Sequence, residues 1–197
     1  DYKSPYAYLA VEPTWTLARD YEVTLEWLPY TLDIPDYLGS AKVDSQGKVL
    51  EATRSPHQWR RVRYSYMDVR RYANLRGLTV RGPQKIWDSS LAAIGLLYAQ
   101  KQGKFRDYND KVYELFWRRE LDIEDPLVIK SVLAETHVDV ADFDVFAAKE
   151  GPVLHKKIRD NAEEQGIFGV PTYVLDSEIF WGREHLPLIR LRLSEMG

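Results

Sequence analysis

Cysteine is absent from all 197 residues. That absence excludes disulfides, thiolate metal sites and any redox cycle run on the protein's own sulfur. Sulfur chemistry at this chain would need a ligand's sulfur. A thiol-free chain is compatible with any compartment, and the placement expected here is cytoplasmic. No stretch approaches the roughly 18 apolar residues of a membrane-spanning helix, so no membrane partner is expected. No secretory leader is visible, although a chain beginning at Asp1 is also what remains after a leader is removed. Charge of one sign is lacking too: 27 Lys and Arg stand against 30 Asp and Glu, a net of −3 that does not suggest nucleic acid. The basic stretch RRVRYSYMDVRR reads as the solvated face of a helix. Glycine-rich phosphate loops and the GxSxG elbow are missing, which leaves Ser4 without the setting of a hydrolase nucleophile. His57, His137, His155 and His185 show no ligand spacing, so no metal is expected and they read as surface or structural histidines.

The chain does have the means to form a core, with 45% hydrophobic and 13% aromatic residues. Asp1–Lys3 reads as the end of a short strand, followed by a helix over Ala7–Tyr21 that Pro13 should kink or divide. EVTLEWLP, residues 22–29, alternates apolar and polar positions as a half-buried strand does. Residues 31–57 hold no steady period and read as a long loop with a turn at SQGK. Helical patterns then run over 58–76, from Ser89 to Gly103, through Phe105–Phe116, from Asp125-Pro126, from Asp139, and over Pro152–Gln165. TYVL, a turn at Asp176-Ser177 and EIFWG form a hairpin, and Glu184–Met196 closes as a helix. The order is strand, helix, strand, a helical block, a hairpin and a helix, which is an α/β plan with helices inserted between two halves of a small sheet.

Two junctions carry possible chemistry. Ser4 stands where a strand ends and a helix begins. Its hydroxyl suits an N-cap, and the same place suits an anion, because free N–H groups and the positive end of the helix dipole meet there. A thiolate held at that point by the Ser4 hydroxyl would be stabilised. A thiol titrates near pH 8.5, and each unit of lowering requires about 1.4 kcal/mol. Val170-Pro171, before an apolar strand, reads equally as a simple strand-start proline or as a cis bond. In the cis form the Val170 N–H and C=O would face outward for an extended ligand. Tyr6, Tyr8 and Trp87 are candidates for an aromatic pocket wall, with core packing the expected role of at least two of them.

SPYAYLA at residues 4–10, GIFGVPTYVLDSEIFWG at 166–182 and RVRYSYMDVRRYANLRGL at 61–78 together resemble one branch of the thioredoxin fold. That branch contains the 2-hydroxychromene-2-carboxylate isomerases and the kappa-class glutathione transferases, relatives of the DsbA oxidoreductases. A serine stands where DsbA relatives carry the first cysteine of Cys-X-X-Cys, GVPT matches the cis-proline loop, and 61–78 resembles a Lys-x-x-Tyr…Asp-x-x-Arg-x-Ala…Gly helix. The resemblance spans essentially the whole chain. It implies a thioredoxin-like domain from 1–30 and 167–197, with part of 31–88 as loop and connecting helix, and a helical insertion over 58–166.

Position by position, the resemblance implies that Ser4 hydrogen-bonds the thiolate of glutathione and Val170, beside Pro171, pairs with its cysteinyl backbone. Trp181, Gly182, Arg183 and Glu184 would line its γ-glutamyl end. Arg61 stands where the family has Lys, and Glu184 where it has Asp. The implied partners are glutathione and a small aromatic substrate, in a homodimer. The implied activity is a glutathione-dependent isomerisation by reversible thiolate addition to a conjugated aromatic acid. Kappa-type transfer and a non-catalytic, cysteine-free binding domain stand as alternatives. LEATRSPHQW at 50–59 carries neither the Asn nor the Pro-Pro pair the family often has there.

Overall fold

The computed structural model describes residues 1–196; residue 197, the last of the C-terminal segment expected in the thioredoxin-like part, lies outside the described residues. Helix α1 spans Pro5–Tyr21. Ser4 starts it from an extended conformation, its Oγ accepting the Ala7 N–H at 3.2 Å, and Pro5 occupies the first-turn position where a missing N–H costs nothing. Pro13 does not divide this helix, which runs unbroken from Pro5 to Tyr21. A proline at that position cannot donate to the carbonyl four residues back, which belongs to Leu9. Arg76 supplies the missing donor from outside: its Nη1 reaches the Leu9 oxygen at 2.5 Å.

Residues 22–29 keep the expected alternation, with Val23, Leu25 and Trp27 half-buried and Glu22, Thr24 and Glu26 exposed, yet they form no strand. The alternation comes instead from helices that shelter one side. Trp27 packs against Trp15 and Phe105 at ring separations of 4.7 and 5.3 Å, and the Gln100 amide donates to the Trp27 carbonyl at 2.7 Å. Asp1–Lys3 is likewise not a strand. The Asp1 carboxylate accepts from the Leu32 N–H at 2.7 Å and the Ser89 hydroxyl at 2.6 Å, and the Tyr113 hydroxyl donates to the Asp1 carbonyl at 3.1 Å. A cavity of about 680 Å³ lies between the extended 24–31 segment and residues 170–174, floored by Ala10, Val11 and Thr14 of α1. No backbone hydrogen bonds cross it among the described residues, which is why a strand-like sequence at 22–29 goes unpaired.

The expected loop at 31–57 is partly ordered. It holds α2 (Ile34–Leu38), capped by Asp33, and an antiparallel hairpin of β1 (Ala41–Val43) and β2 (Val49–Ala52), with Ala41 opposite Ala52. All four residues of β2 are exposed, so neither face is buried and no period of two reaches the sequence. Helix α3 (Pro56–Leu75) opens with a capping box between Ser55 and Gln58, and Gly77 follows its end at a φ of +68°.

The helical block consists of α4 (Ser90–Lys101), α5 (Phe105–Arg118), α6 (Pro126–Glu135), α7 (Phe143–Ala148) and α8 (Glu150–Glu164). The helix expected from Asp139 begins only at Phe143. The Asp139 N–H is held by the Gln102 side chain at 2.8 Å and its carboxylate accepts the Ala141 N–H at 3.0 Å, a local turn that competes with helix. β3 (Thr172–Leu175) and β4 (Glu178–Trp181) pair antiparallel with Thr172 opposite Trp181, turning at Asp176-Ser177 as expected. A short 3₁₀ turn, Arg183–His185, precedes α9 (Leu186–Met196), so the closing helix begins two residues later than Glu184.

Two cores result. The larger joins Leu9 and Val11 of α1 with Val69, Ala73, Leu97, Tyr108, Trp117, Ile129 and Phe143; the smaller joins Leu17 with Phe180, Leu186, Ile189 and Leu193. Helix α1 belongs to both. Among the described residues no helix is long and apolar enough to cross a membrane.

Two outcomes follow from this packing. Arg76→Ala should lower stability by about 1–3 kcal/mol by stranding the Leu9 carbonyl, and by clearly less in a Pro13→Ala background, where residue 13 regains its N–H; urea unfolding of the four variants measures the coupling, and equal losses would refute the assignment. Burial raises the pKa values of Tyr2, Tyr108 and Tyr113, and that of Tyr66 to about 12. Folded-state values above the unfolded value near 10 mean a contribution to stability that is full below about pH 10 and lost as pH rises toward 12 and beyond. Phenolate absorbance should therefore show a tyrosine subset that ionises only together with unfolding.

Candidate functional site

The start of α1 is almost fully satisfied from within. Ser4 is 5% exposed. Its N–H donates to the Asp1 carbonyl at 3.1 Å, its own carbonyl accepts the Tyr8 N–H at 3.1 Å, and its Oγ accepts from Ala7. Pro5 has no donor, so among the described residues the Tyr6 N–H alone in this first turn has no partner. The Ser4 hydroxyl proton points to the Val170 carbonyl at 3.5 Å, the outer limit of a hydrogen bond. The cap and the candidate donor are thus one group. Its acceptor lone pair is committed firmly, and its proton only loosely.

Val170 and Pro171 meet α1 at that point, and the bond between them is cis. Among the described residues the Val170 N–H has no hydrogen-bond partner. The Pro171 carbonyl accepts the Gly182 N–H at 2.8 Å, which ties the start of β3 to the end of β4. Two glycines here are structurally required. A Cβ on Gly169 would lie 2.6 Å from Trp181 Nε1, because the indole rests on this residue. Gly182 holds φ +106°, ψ 147°, a region essentially reserved for glycine, and a Cβ there would run into the Glu184 carboxylate. Trp181 remains 51% exposed and tilts against Phe168, 65% exposed, at 4.8 Å.

One face of α3 forms the remaining side. Its Asp68 accepts from the Tyr6 hydroxyl at 3.3 Å and pairs with Arg71 at 3.5 Å. Burial, reinforced by the Asp68 charge, raises the Tyr6 pKa, so Tyr6 keeps its proton at neutral pH. The Arg183 guanidinium lies 3.9 Å from the centre of the Tyr72 ring, with its Nε buried and unpartnered. Arg61 lies on the same helix, seven residues before Asp68 and so on the same face. The structure therefore brings Ser4, Val170 and Pro171 into contact, and Trp181, Gly182, Arg183 and Glu184 follow directly at the end of β4. Arg61 and Glu184 are exposed and make no ion pair or hydrogen bond among the described residues; no contact joins Arg61 to the others.

Asp68 and Tyr72 were not among the expected site residues, and Tyr6 was expected only as a candidate pocket wall. The Asp-x-x-Arg spacing at 68–71 and the position of Tyr6 two residues after Ser4 were the available signals. Of the other aromatic candidates, Tyr8 stacks on Tyr113 at 5.3 Å and Trp87 meets Phe116 edge-on at 6.3 Å, both as core packing.

The profile of the DsbA-like thioredoxin domain matches residues 1–194. The chain belongs to the DsbA-like thioredoxin family. Among curated proteins it is similar to the 2-hydroxychromene-2-carboxylate isomerase of Sphingobium xenophagum, 25% identical over 99% of this chain and 95% of that protein. It is 26% identical to the enzyme of the same name from Pseudomonas putida, over 100% of this chain and 91% of that one. A solved 2-hydroxychromene-2-carboxylate isomerase superposes with a TM-score of 0.77 at 23% identity, covering 100% of this chain and 92% of the other.

The helix start reads Ser4-Pro5-Tyr6-Ala7, and the chain contains no cysteine at all. The helix start can hold an anion but has no sulfur with which to exchange electrons. Gly182→Ala should cost about 1–3 kcal/mol from the backbone conformation alone and should displace Glu184. A lowered melting temperature checks the first effect, and a melting point equal to that of the unaltered chain would contradict this account of the turn.

Proposed function

We propose that the chain is a glutathione-dependent isomerase acting on a small conjugated aromatic acid; the relatives it matches are named 2-hydroxychromene-2-carboxylate isomerase. The observation that carries this reading is the meeting of the loosely committed Ser4 hydroxyl with the Val170 peptide at the amino end of α1, in a chain without cysteine. The residues present suit the tripeptide. Val170 offers an unpartnered N–H to an extended backbone, Glu184 offers a carboxylate to an amino group, Arg61 offers a cation to a carboxylate, and the buried Arg183 Nε is a donor awaiting an acceptor.

Bound there, glutathione supplies a nucleophilic sulfur whose reversible addition to a conjugated double bond leaves that bond single and able to rotate. The chain's own residues set up the anion. Turning the Ser4 proton away from the Val170 carbonyl gives up only a 3.5 Å contact and provides a charge-assisted donor. The Tyr6 N–H and the dipole of α1 add to it. Together these effects suit a lowering of the thiol pKa by about one to two units. Tyr6 keeps its proton and donates it to Asp68, so it becomes a second donor two residues away only by giving up that 3.3 Å bond; the exposed Trp181 and Phe168 rings offer flat apolar surface to an aromatic ligand.

One observation favours a second reading, a domain that binds without catalysing: residues 50–59 lack the Asn and Pro-Pro pair of the family and instead build the exposed β2 and the capping box of α3. Titration calorimetry separates the two. The enzyme reading expects glutathione binding in the micromolar to low-millimolar range, weakened several-fold in Arg61→Ala and Glu184→Ala. Ser4→Ala should lose the thiolate absorbance of bound glutathione at a cost of about 1 kcal/mol in stability from the lost cap. No heat up to several millimolar would rule the proposal out, and an undiminished thiolate signal in Ser4→Ala would remove that serine from its role.

A further inference from the structure

A different face of α3 carries a second concentration of charge. Trp59, Val62, Arg63, Tyr66 and Arg70 line a cavity of about 300 Å³, closed by Val43 of β1, Arg54, the 82–86 segment and Arg119. None of Ser4, Arg61, Val170, Trp181 or Glu184 lines it. Its volume is at the lower end of small-molecule sites, roughly 300–1,000 Å³.

The charge around it is all of one sign. Arg54, Arg63, Arg70, Lys85 and Arg119 line the cavity, and no aspartate or glutamate does, although the chain has 30 of these against 27 Lys and Arg. Lys85 is compensated by Glu124 at 2.5 Å. The four guanidiniums have no ion-pair partner among the described residues. Like charges converging on one cavity repel, so the arrangement costs free energy in the absence of an anion.

Three of the four guanidiniums are also held in place. Arg54 donates through Nε to the Leu38 carbonyl at 3.1 Å and lies 5.0 Å from the centre of the Trp59 ring. Arg70 donates through Nε to the Val80 carbonyl at 3.2 Å and lies 5.7 Å from the Tyr66 ring. Arg119 donates through Nε to the Gly82 carbonyl at 2.7 Å. Using Nε in this way leaves the paired terminal nitrogens for another acceptor, in forks whose side-chain freedom is already spent. Tyr66, half-buried and with its pKa raised to about 12 by desolvation, keeps its hydroxyl proton beside them.

We infer that this pocket is a binding site for a small dianion, a molecule carrying a phosphate group or two neighbouring carboxylates, gripped by the forks of Arg54, Arg63, Arg70 and Arg119. The shape and sign of the pocket are common to both sources of charge. The assignment stands apart from the glutathione reading, since it uses a different wall of α3 and different residues.

Calorimetry at low salt with inorganic phosphate, phthalate and, as a single-charge control, benzoate tests it. Phosphate or phthalate should bind, more tightly than benzoate, and whichever binds better identifies the source of the charge. Arg63→Ala should weaken binding about tenfold, the loss of one charge-assisted contact; this side chain is exposed and makes no internal bond, so the fold is unaffected. Arg70→Gln, with folding verified by circular dichroism, should weaken it at least as much. Saturating glutathione should leave the dianion affinity unchanged. The inference is overturned by the absence of heat with both dianions, by benzoate binding as tightly, by unchanged affinity in both variants, or by displacement of the dianion by glutathione.

Discussion

The Leu9 carbonyl is the point on which the architecture turns. Pro13 leaves it without its helical donor, and Arg76, just past the end of α3, provides another. With that carbonyl satisfied, α1 continues unbroken past a proline and joins two cores, the helical block through Leu9 and Val11 and the hairpin–α9 layer through Leu17. A break at Pro13 would uncouple the amino end of α1, where Ser4 sits, from the segment that packs against Phe180 and Leu193. The relative placement of Ser4 and the Val170 peptide, which come from opposite ends of the chain, depends on that rigidity.

At the candidate site the structure separates groups that are satisfied from groups that are not. Most donors of the first turn of α1 are used internally, as buried polar groups must be. What remains is a short set: the Tyr6 N–H, the Val170 N–H, the Arg183 Nε and the ends of Arg61 and Glu184. These are complementary to an extended, doubly charged, peptide-like molecule.

Helix α3 divides the basic character of the chain between two places. The side carrying Asp68 and Tyr72 meets Tyr6 and Arg183, where an acid balances the cations. The side carrying Arg63, Tyr66 and Arg70 meets the β1–β2 hairpin and Arg119, where none does. In the stretch RRVRYSYMDVRR the five arginines are all exposed, as a solvated face expects, and one of them, Arg70, is also tied to a carbonyl and a ring.

Much of this was legible in the residues themselves. Local signals sufficed wherever the cause was local: Ser4-Pro5 as a helix start, Ser55 with Gln58, Asp125-Pro126, and the hairpin turn at Asp176-Ser177 are all set by short-range hydrogen bonds and allowed dihedral angles. The motifs around Ser4, Val170 and Trp181 likewise indicated the family. Tertiary structure decided the rest, because the deciding partner lay far along the chain. Pro13 breaks nothing because Arg76 is near; 22–29 alternates without pairing because helices, and no neighbouring strand, cover its apolar side; β2 went unread because neither of its faces is buried. A sequence records what each residue prefers, and only the fold shows which groups find a partner and which are left without one.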